Sequence, residues 1–356
     1  MKKRKKENDL LLYIPLLIIL IISVLSLWKF SEINYVIKQI LWIFIGFIIF
    51  LVIKKSKIKI LFSYSNWLYA INVALLILVL IVGKEVNGAR AWFDFKYFSF
   101  QPSELMKVSL ALYLYKIITN SNLKNLKEEF LLICKISFIF ILPSILVFLE
   151  PDTGAIIIYF IITLVALCSA KLNRKWFILL FAIMLVFLSA FFGLYFYNQN
   201  LLIRLIGTSF FYRIDRLISF TNNTSYQLNQ ALIAIGSSGL FGKNTSLYIP
   251  EAITDFMFAF TISRFGFVVG LFLLICYFII DIYFIKKIFK TKNVFIAMFF
   301  FVFLFQQVQN ILMNIGLFPI MGIPLPFLSY GGTNTIIYFI FLGLVTNIKK
   351  VRNITF

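Results

Sequence analysis

The sequence predicts an all-α polytopic membrane protein of about ten transmembrane helices. Three observations predict it. Hydrophobic residues make up 62% of the 356 positions and charged residues only 13%, and the mean hydropathy is +0.96. The main solvent of such a chain is lipid. Apolar runs long enough to span, about 20 residues each, recur from one end of the chain to the other. Lysine and arginine gather in alternate connections between those runs.

In order, the runs are 10–28, 37–53, 60–83, 103–119, 130–148, 154–170, 176–197, 256–285, 294–317 and 333–348. The first follows a basic stretch, extends from Leu10 to Trp28 without a small-residue cleavage site, and reads as an uncleaved span. The eighth is long for a single crossing and is expected to tilt or extend past the bilayer. No soluble domain is left over, so residues 1–356 are expected to form one membrane domain.

Charge placement sets the topology. With the N-terminus in the cytoplasm, 22 of the 34 basic residues fall on inner segments, in clusters such as Lys54, Lys55, Lys57 and Lys59. Only nine fall outside: Lys29, Lys38, Lys84, Arg90, Lys96, Arg204, Arg213, Arg216 and Lys243. The positive-inside bias puts both termini in the cytoplasm. The net charge of +20 is therefore a topology signal and does not indicate nucleic-acid binding. Cys134, Cys168 and Cys276 lie inside spans, as small buried hydrophobes and not as a disulfide or zinc framework.

The chain has no histidine, which excludes His-dependent triads and HExxH metal sites. Acid–base work falls to carboxylates, lysines or tyrosines. Nine of the fourteen acids lie at or beyond the outer surface: Glu32, Glu85, Asp94, Glu104, Glu150, Asp152, Asp215, Glu251 and Asp255. No inner loop has a Gly-rich phosphate cradle, so no nucleotide is expected. The longest connection, 198–255, faces outward and carries the amphipathic pieces SFFYRIDRLISF and YQLNQALIAIGSSGLFGK, which suggest short surface helices. An active site is expected on that face. A biosynthetic reaction there needs a donor with its own leaving group, most simply a lipid-linked diphosphate.

Five constellations could build such a site. In FQPSELMK, Glu104 and Lys107 share one face of a helix that Pro102 starts, as either a structural ion pair or a charged groove. In LEPDTG, Asp152 can cap the sixth span or act chemically. In NGARAWF, Arg90 stands beside Trp92, a combination that interfacial anchoring alone would explain. The run FPIMGIPLPFLSYGGTNT is too apolar for an ordinary loop and too broken for a helix. It is expected to form a re-entrant cover over a cavity, with Ser329, Tyr330, Thr333 and Asn334 as polar lining. Finally PEAITDFMFAF sets Glu251 and Asp255 at the start of an apolar run, with Thr254 as a possible cap. Asp255 then either compensates the helix dipole or, its pKa raised by apolar neighbours, serves as a general base.

Six of these pieces in this order, NGARAWF, FQPSELMK, EPDTG, YQLNQALIAIGSSGLFGK, IPEAITDFMFAF and GIPLPFLSYGGTNT, resemble the SEDS family typified by RodA and FtsW. The resemblance implies a SEDS-like fold and a peptidoglycan glycosyltransferase that polymerises lipid II on the outer face of the bacterial cytoplasmic membrane. It implies Asp255 as the catalytic carboxylate, with Glu104, Lys107, Asp152 and Arg90 at further motif positions. Arg90, Lys107, Arg213, Arg216 or Lys243 would stabilise the leaving diphosphate, a task that Mg²⁺ or Mn²⁺ could share. The resemblance also implies a class B penicillin-binding protein as partner; this chain has no transpeptidase signature set of its own and is not expected to cross-link strands. The sequence departs from the family pattern at Ile253, where histidine is usual, and at Ser263 and Arg264, where acids are usual; Ala91, Ser238 and Asn244 depart as well. The alternatives are a lipid II flippase or a non-catalytic scaffold of the cell-wall machinery. Against the flippase, spans two, three, six and ten are almost purely apolar and no internal repeat is evident.

Overall fold

The computed structural model describes residues 9–30, 32–86, 89–95, 98–207, 211, 226–243 and 248–348. Its helices are α1 (Leu10–Lys29), α2 (Ile33–Lys55), α3 (Ile58–Ser63), α4 (Ser65–Val82), α5 (Pro102–Asn120), α6 (Leu126–Leu149), α7 (Thr153–Ser169), α8 (Arg174–Tyr197) and α9 (Gln199–Ile206). They continue with α10 (Tyr226–Ser237), α11 (Met257–Phe265), α12 (Phe267–Thr291), α13 (Val294–Asn314) and α14 (Gly332–Asn347). This is a multi-pass membrane protein. Seven of the helices, α1, α2, α4, α6, α8, α12 and α13, are long and apolar enough to cross a bilayer, while α7 and α14 are apolar but shorter. The remaining expected span, α5, carries Glu104, Lys107 and Lys116.

α5 is the centre of the bundle. It is buried on every side from Pro102 to Leu112, as expected of a helix surrounded by others, and it packs on α4, α7, α13 and α14. Its polar groups are matched by neighbours: Tyr159 donates to the Ser103 carbonyl (2.7 Å) and Asn72 to the Ser109 hydroxyl (2.9 Å). α14 lies along α2, close enough that Gly332 meets the Trp42 ring. α8 and α9 pack on each other around Tyr195, Leu202 and Phe211, in a cluster separate from the main core.

Three features depart from the uniform spans expected. The third run breaks at Tyr64, giving the short α3 before α4. A small antiparallel sheet, β1 (Lys84–Val86), β2 (Ala89–Phe95) and β3 (Phe98–Phe100), leads into α5. The eighth run is not one long helix. It divides at Gly266 into the buried α11 and the spanning α12. Gly266 has φ +87° and ψ 174°, a conformation that is essentially glycine-only and costs other residues about 1–3 kcal/mol. A Cβ there would also collide with the Leu240 carbonyl oxygen. Gly266→Ala is therefore expected to destabilise the protein by at least about 1–3 kcal/mol, read as a lowered Tm in detergent. An unchanged Tm would show that this break tolerates a side chain.

The segment 315–331 is irregular, yet from Ile323 to Ser329 all but Pro324 are buried. Backbone carbonyls at that depth need partners from the protein, and four side chains from three helices, α1, α12 and α13, supply them. Asn310 donates to Ile323 (2.9 Å), Tyr277 to Pro326 (2.6 Å), Ser23 to Leu328 (2.7 Å) and Gln309 to Pro319 (3.4 Å). The broken backbone thus stays rigid without helix or sheet. It closes one side of a cavity at the sheet end of the bundle.

Candidate active site

That cavity has a volume of about 290 Å³ and is walled by α2, α5, α7, α13, the sheet, the turn before α11 and the irregular segment. Asp255, Glu104, Lys107, Asp152 and Tyr330 all line it, together with Thr333 and Asn334. These residues come from four regions far apart in sequence.

Asp255 does not lie in a helix. α11 begins at Met257, and residues 251–256 form a turn closed by Thr254 N–H and Phe256 N–H donating to the Glu251 carbonyl (3.3 and 3.1 Å). Thr254 is thus not the cap, and Asp255 precedes the first helical turn. Its backbone is held from behind. Asn310 and Asn314 donate to the Asp255 carbonyl (2.9 and 3.1 Å), while Asn314 also accepts from Ala259 N–H (2.9 Å). Ser329 donates to the Thr254 carbonyl (2.6 Å), and Tyr330 N–H donates to Ile253 (2.8 Å). Three consecutive carbonyls are thereby fixed, and the side chain is aimed at the cavity. None of the described residues hydrogen-bonds its carboxylate. Burial, with a smaller contribution from the Glu251 charge, pushes the Asp255 carboxyl up to about 7. Gly322, at φ +66°, lets the irregular segment pass beside it: a Cβ there would stand 3.9 Å from Oδ2.

Glu104 and Lys107 form a buried ion pair at 2.5 Å, i to i+3 on α5, and the second carboxylate oxygen of Glu104 has no partner among the described residues. Asp152 is the N-cap of α7. One oxygen accepts from Ala155 N–H (3.0 Å), the other from Gln101 (2.9 Å) and Ser103 (3.2 Å). Behind it Glu150 is buried, and that burial, followed by the Asp152 charge, raises its carboxyl to about 8.

Other expected residues lie elsewhere. Arg90 is exposed on β2 and pairs with Glu85 at 3.3 Å. Lys243 is exposed, its N–H donating to the Ser263 carbonyl. Glu251 is exposed and accepts from the Thr254 hydroxyl (3.0 Å). Ser329 is fully buried as a brace behind the wall and does not line it. Arg213 and Arg216 lie outside the described residues. The departures at Ile253, Ser263 and Arg264 are also off the cavity wall. Ser263 bonds back to Phe260 (2.8 Å), and Arg264 lies over the Phe260 ring.

Several cavity residues escaped the sequence reading. Lys38 and Trp42 come from α2, and Gln306 from α13, two turns before Asn314. The signal for the last group was present: QQVQNILMN is a polar run inside an apolar span, and such residues are functional by default. Lys38 is hidden because a lysine near a span end ordinarily reads as an interfacial anchor.

A sequence profile of the cell cycle protein family comprising FtsW, RodA and SpoVE matches residues 8–354. The chain belongs to this family, the SEDS proteins. The probable peptidoglycan glycosyltransferase FtsW of Wigglesworthia glossinidia brevipalpis is 31% identical over 329 residues, covering 86% of this chain and 82% of that protein. The peptidoglycan glycosyltransferase MrdB of Helicobacter pylori J99 is 29% identical, covering 97% and 91%. The fold matches a chain in a peptidoglycan synthase complex that coordinates polymerisation and crosslinking, with a TM-score of 0.78 at 24% identity, covering 96% of this chain and 97% of that one. It also matches Thermus thermophilus RodA, with a TM-score of 0.69 at 24% identity, covering 97% of each. In this SEDS protein four of the six motif stretches converge on the cavity. NGARAWF contributes only Trp92, and YQLNQALIAIGSSGLFGK contributes nothing to the wall.

Proposed function

We propose that this SEDS protein is a peptidoglycan glycosyltransferase that polymerises lipid II on the outer face of the bacterial cytoplasmic membrane. The observation that carries the assignment is the Asp255 carboxylate, held by its backbone at the wall of a cavity and raised to about 7. A base with a pKa near the working pH combines ionisation with proton affinity. Ionised Asp255 takes the proton of the acceptor sugar's C4 hydroxyl as that oxygen attacks the donor's anomeric carbon. The bond from that carbon to the diphosphate oxygen breaks, undecaprenyl diphosphate leaves, and the α-linked donor becomes a β-link.

The departing diphosphate needs positive charge. Lys107 is committed to Glu104, whereas Lys38 lines the cavity in no ion pair among the described residues. Lys38 is the first choice for that role. No group of three His, Cys, Asp or Glu among the described residues gathers around one point. A Mg²⁺ or Mn²⁺ therefore fits here only in the manner usual for Mg²⁺, on substrate phosphates and water with at most one carboxylate of the cavity wall. Bound so, it would offset leaving-group charge. The bias of basic residues supports the outer-face placement. Likeness to a chain from a complex that couples polymerisation to crosslinking supports a class B penicillin-binding protein as partner.

Purified protein in liposomes with lipid II, alone and with the partner, is expected to yield glycan strands. Translocation of lipid II without polymer would overturn the proposal in favour of a flippase. The pH dependence follows from Asp255, which works ionised. With its carboxyl at about 7, kcat/KM is expected to fall about tenfold per unit below that pH and to level above it. A profile flat down to about pH 5 would remove a raised carboxylate from the rate-determining chemistry.

A further inference from the structure

We infer that Gln306, at the floor of the cavity, recognises the 2-acetamido group of the donor sugar; the inference rests on the lipid II reading above and deepens it. Gln306 is fully buried, lines the cavity, and has no partner among the described residues for either its Oε1 or its Nε2. The amide nitrogens of its neighbours in the polar run are all engaged: Gln307 donates to Asp281 (3.0 Å), Gln309 to the Pro319 carbonyl, and Asn310 to the Asp255 and Ile323 carbonyls; Gln306 alone has neither end of its amide paired among the described residues. A buried amide with both ends unsatisfied is costly to keep unless something brought to the site pairs with it.

Among the described residues, the other fully buried polar atoms of the cavity wall without a partner are the Glu104 Oε2 and the Asn334 Oδ1. With Gln306, these fully buried wall atoms offer one donor nitrogen and three acceptor oxygens. A diphosphate brings only acceptor oxygens and would face the Glu104 carboxylate, so it does not fit here. A 2-acetamido sugar does. Its N–H meets the Gln306 Oε1, its carbonyl accepts from the Gln306 Nε2, and its hydroxyls supply donors for Glu104 and Asn334. The placement agrees with the chemistry. Gln306 lies one helical turn, about 5.4 Å, from Asn310, which holds the Asp255 carbonyl. In the donor, C2 adjoins the anomeric carbon that is attacked, so its acetamido group lies beside the reacting atoms.

The test compares native lipid II with an analogue whose diphosphate-linked sugar carries a free 2-amine, using the full chain in liposomes. Wild type is expected to prefer the native donor about tenfold or more in kcat/KM, as two hydrogen bonds warrant. Gln306→Leu is expected to bring that ratio towards one by losing activity on the native donor while keeping it on the analogue. Gln306→Glu, of the same shape but without the Nε2 donor, is expected to do likewise. A ratio unchanged in both variants, or an equal loss on both donors, would overturn the inference and leave Gln306 as a structural or water-binding residue. Absence of polymer from wild type with native lipid II would instead fell the polymerase reading itself.

Discussion

Asp255→Asn is expected to lower lipid II polymerisation by about a hundred- to ten-thousandfold, the usual contribution of a general base, while the protein still accumulates and folds. Nothing in the fold depends on the charge. The groups that fix this turn bond backbone carbonyls of Ile253, Thr254 and Asp255, and none of the described residues bonds the carboxylate. Asn has the same shape, so the turn, α11 and the cavity keep their geometry. Stability is expected to move the other way from activity. The folded carboxyl is raised from 3.8 to about 7, so the folded state holds its proton more tightly than the unfolded chain does. Stability is thus lost as pH rises through that window. The Asn variant has no such proton to lose and should be at least as stable as wild type above neutrality. Parallel assays of strand length and of Tm at two pH values would check both. A variant that is inactive because it is unfolded would contradict this separation.

Lys107→Met is expected to cost about 3–5 kcal/mol of stability, because it leaves Glu104 buried without its counter-charge. Both members are almost wholly buried on α5, the most enclosed helix of the bundle. The pair itself is not expected to be strongly stabilising, since two charges were taken out of water to make it. Glu104→Gln combined with Lys107→Met should therefore recover most of the stability lost by the single change. The coupling should appear as a double-mutant cycle far from additive. Thermal unfolding of the four proteins in one detergent measures it. Additive effects, or a cost below about 1 kcal/mol for Lys107→Met, would mean that water reaches the pair.

Much of the site was legible because its chemistry is concentrated in short polar stretches within apolar surroundings. Asp255, Glu104, Lys107, Asp152 and Tyr330 were all identified from such stretches, and the structure gathers them on one wall. The irregular backbone of 315–331 was legible for a different reason: its prolines and glycines forbid a regular helix. Two of the features missed, the break at Gly266 and the polar run of α13, were masked in the same way. Hydropathy averages over a window, so Gly266 within an apolar run and the polar residues 306–310 within another leave the sum positive. The break at Gly266 is a matter of backbone conformation, and glycine alone does not announce it. The cations Arg90 and Lys243 were chosen by motif and by side of the membrane. Both are exposed, away from the cavity, where water already solvates them. Distance within the fold decided between them and Lys38, and no linear pattern encodes it.

The most direct test of the account is a structure of the Asp255→Asn protein with lipid II bound. The account expects a saccharide in the cavity bounded by α5, α13 and the irregular segment, with a sugar hydroxyl within about 2.6–3.2 Å of the side chain at position 255. A sugar bound elsewhere on the protein, or seated in the cavity with no hydroxyl facing that side chain, would contradict it.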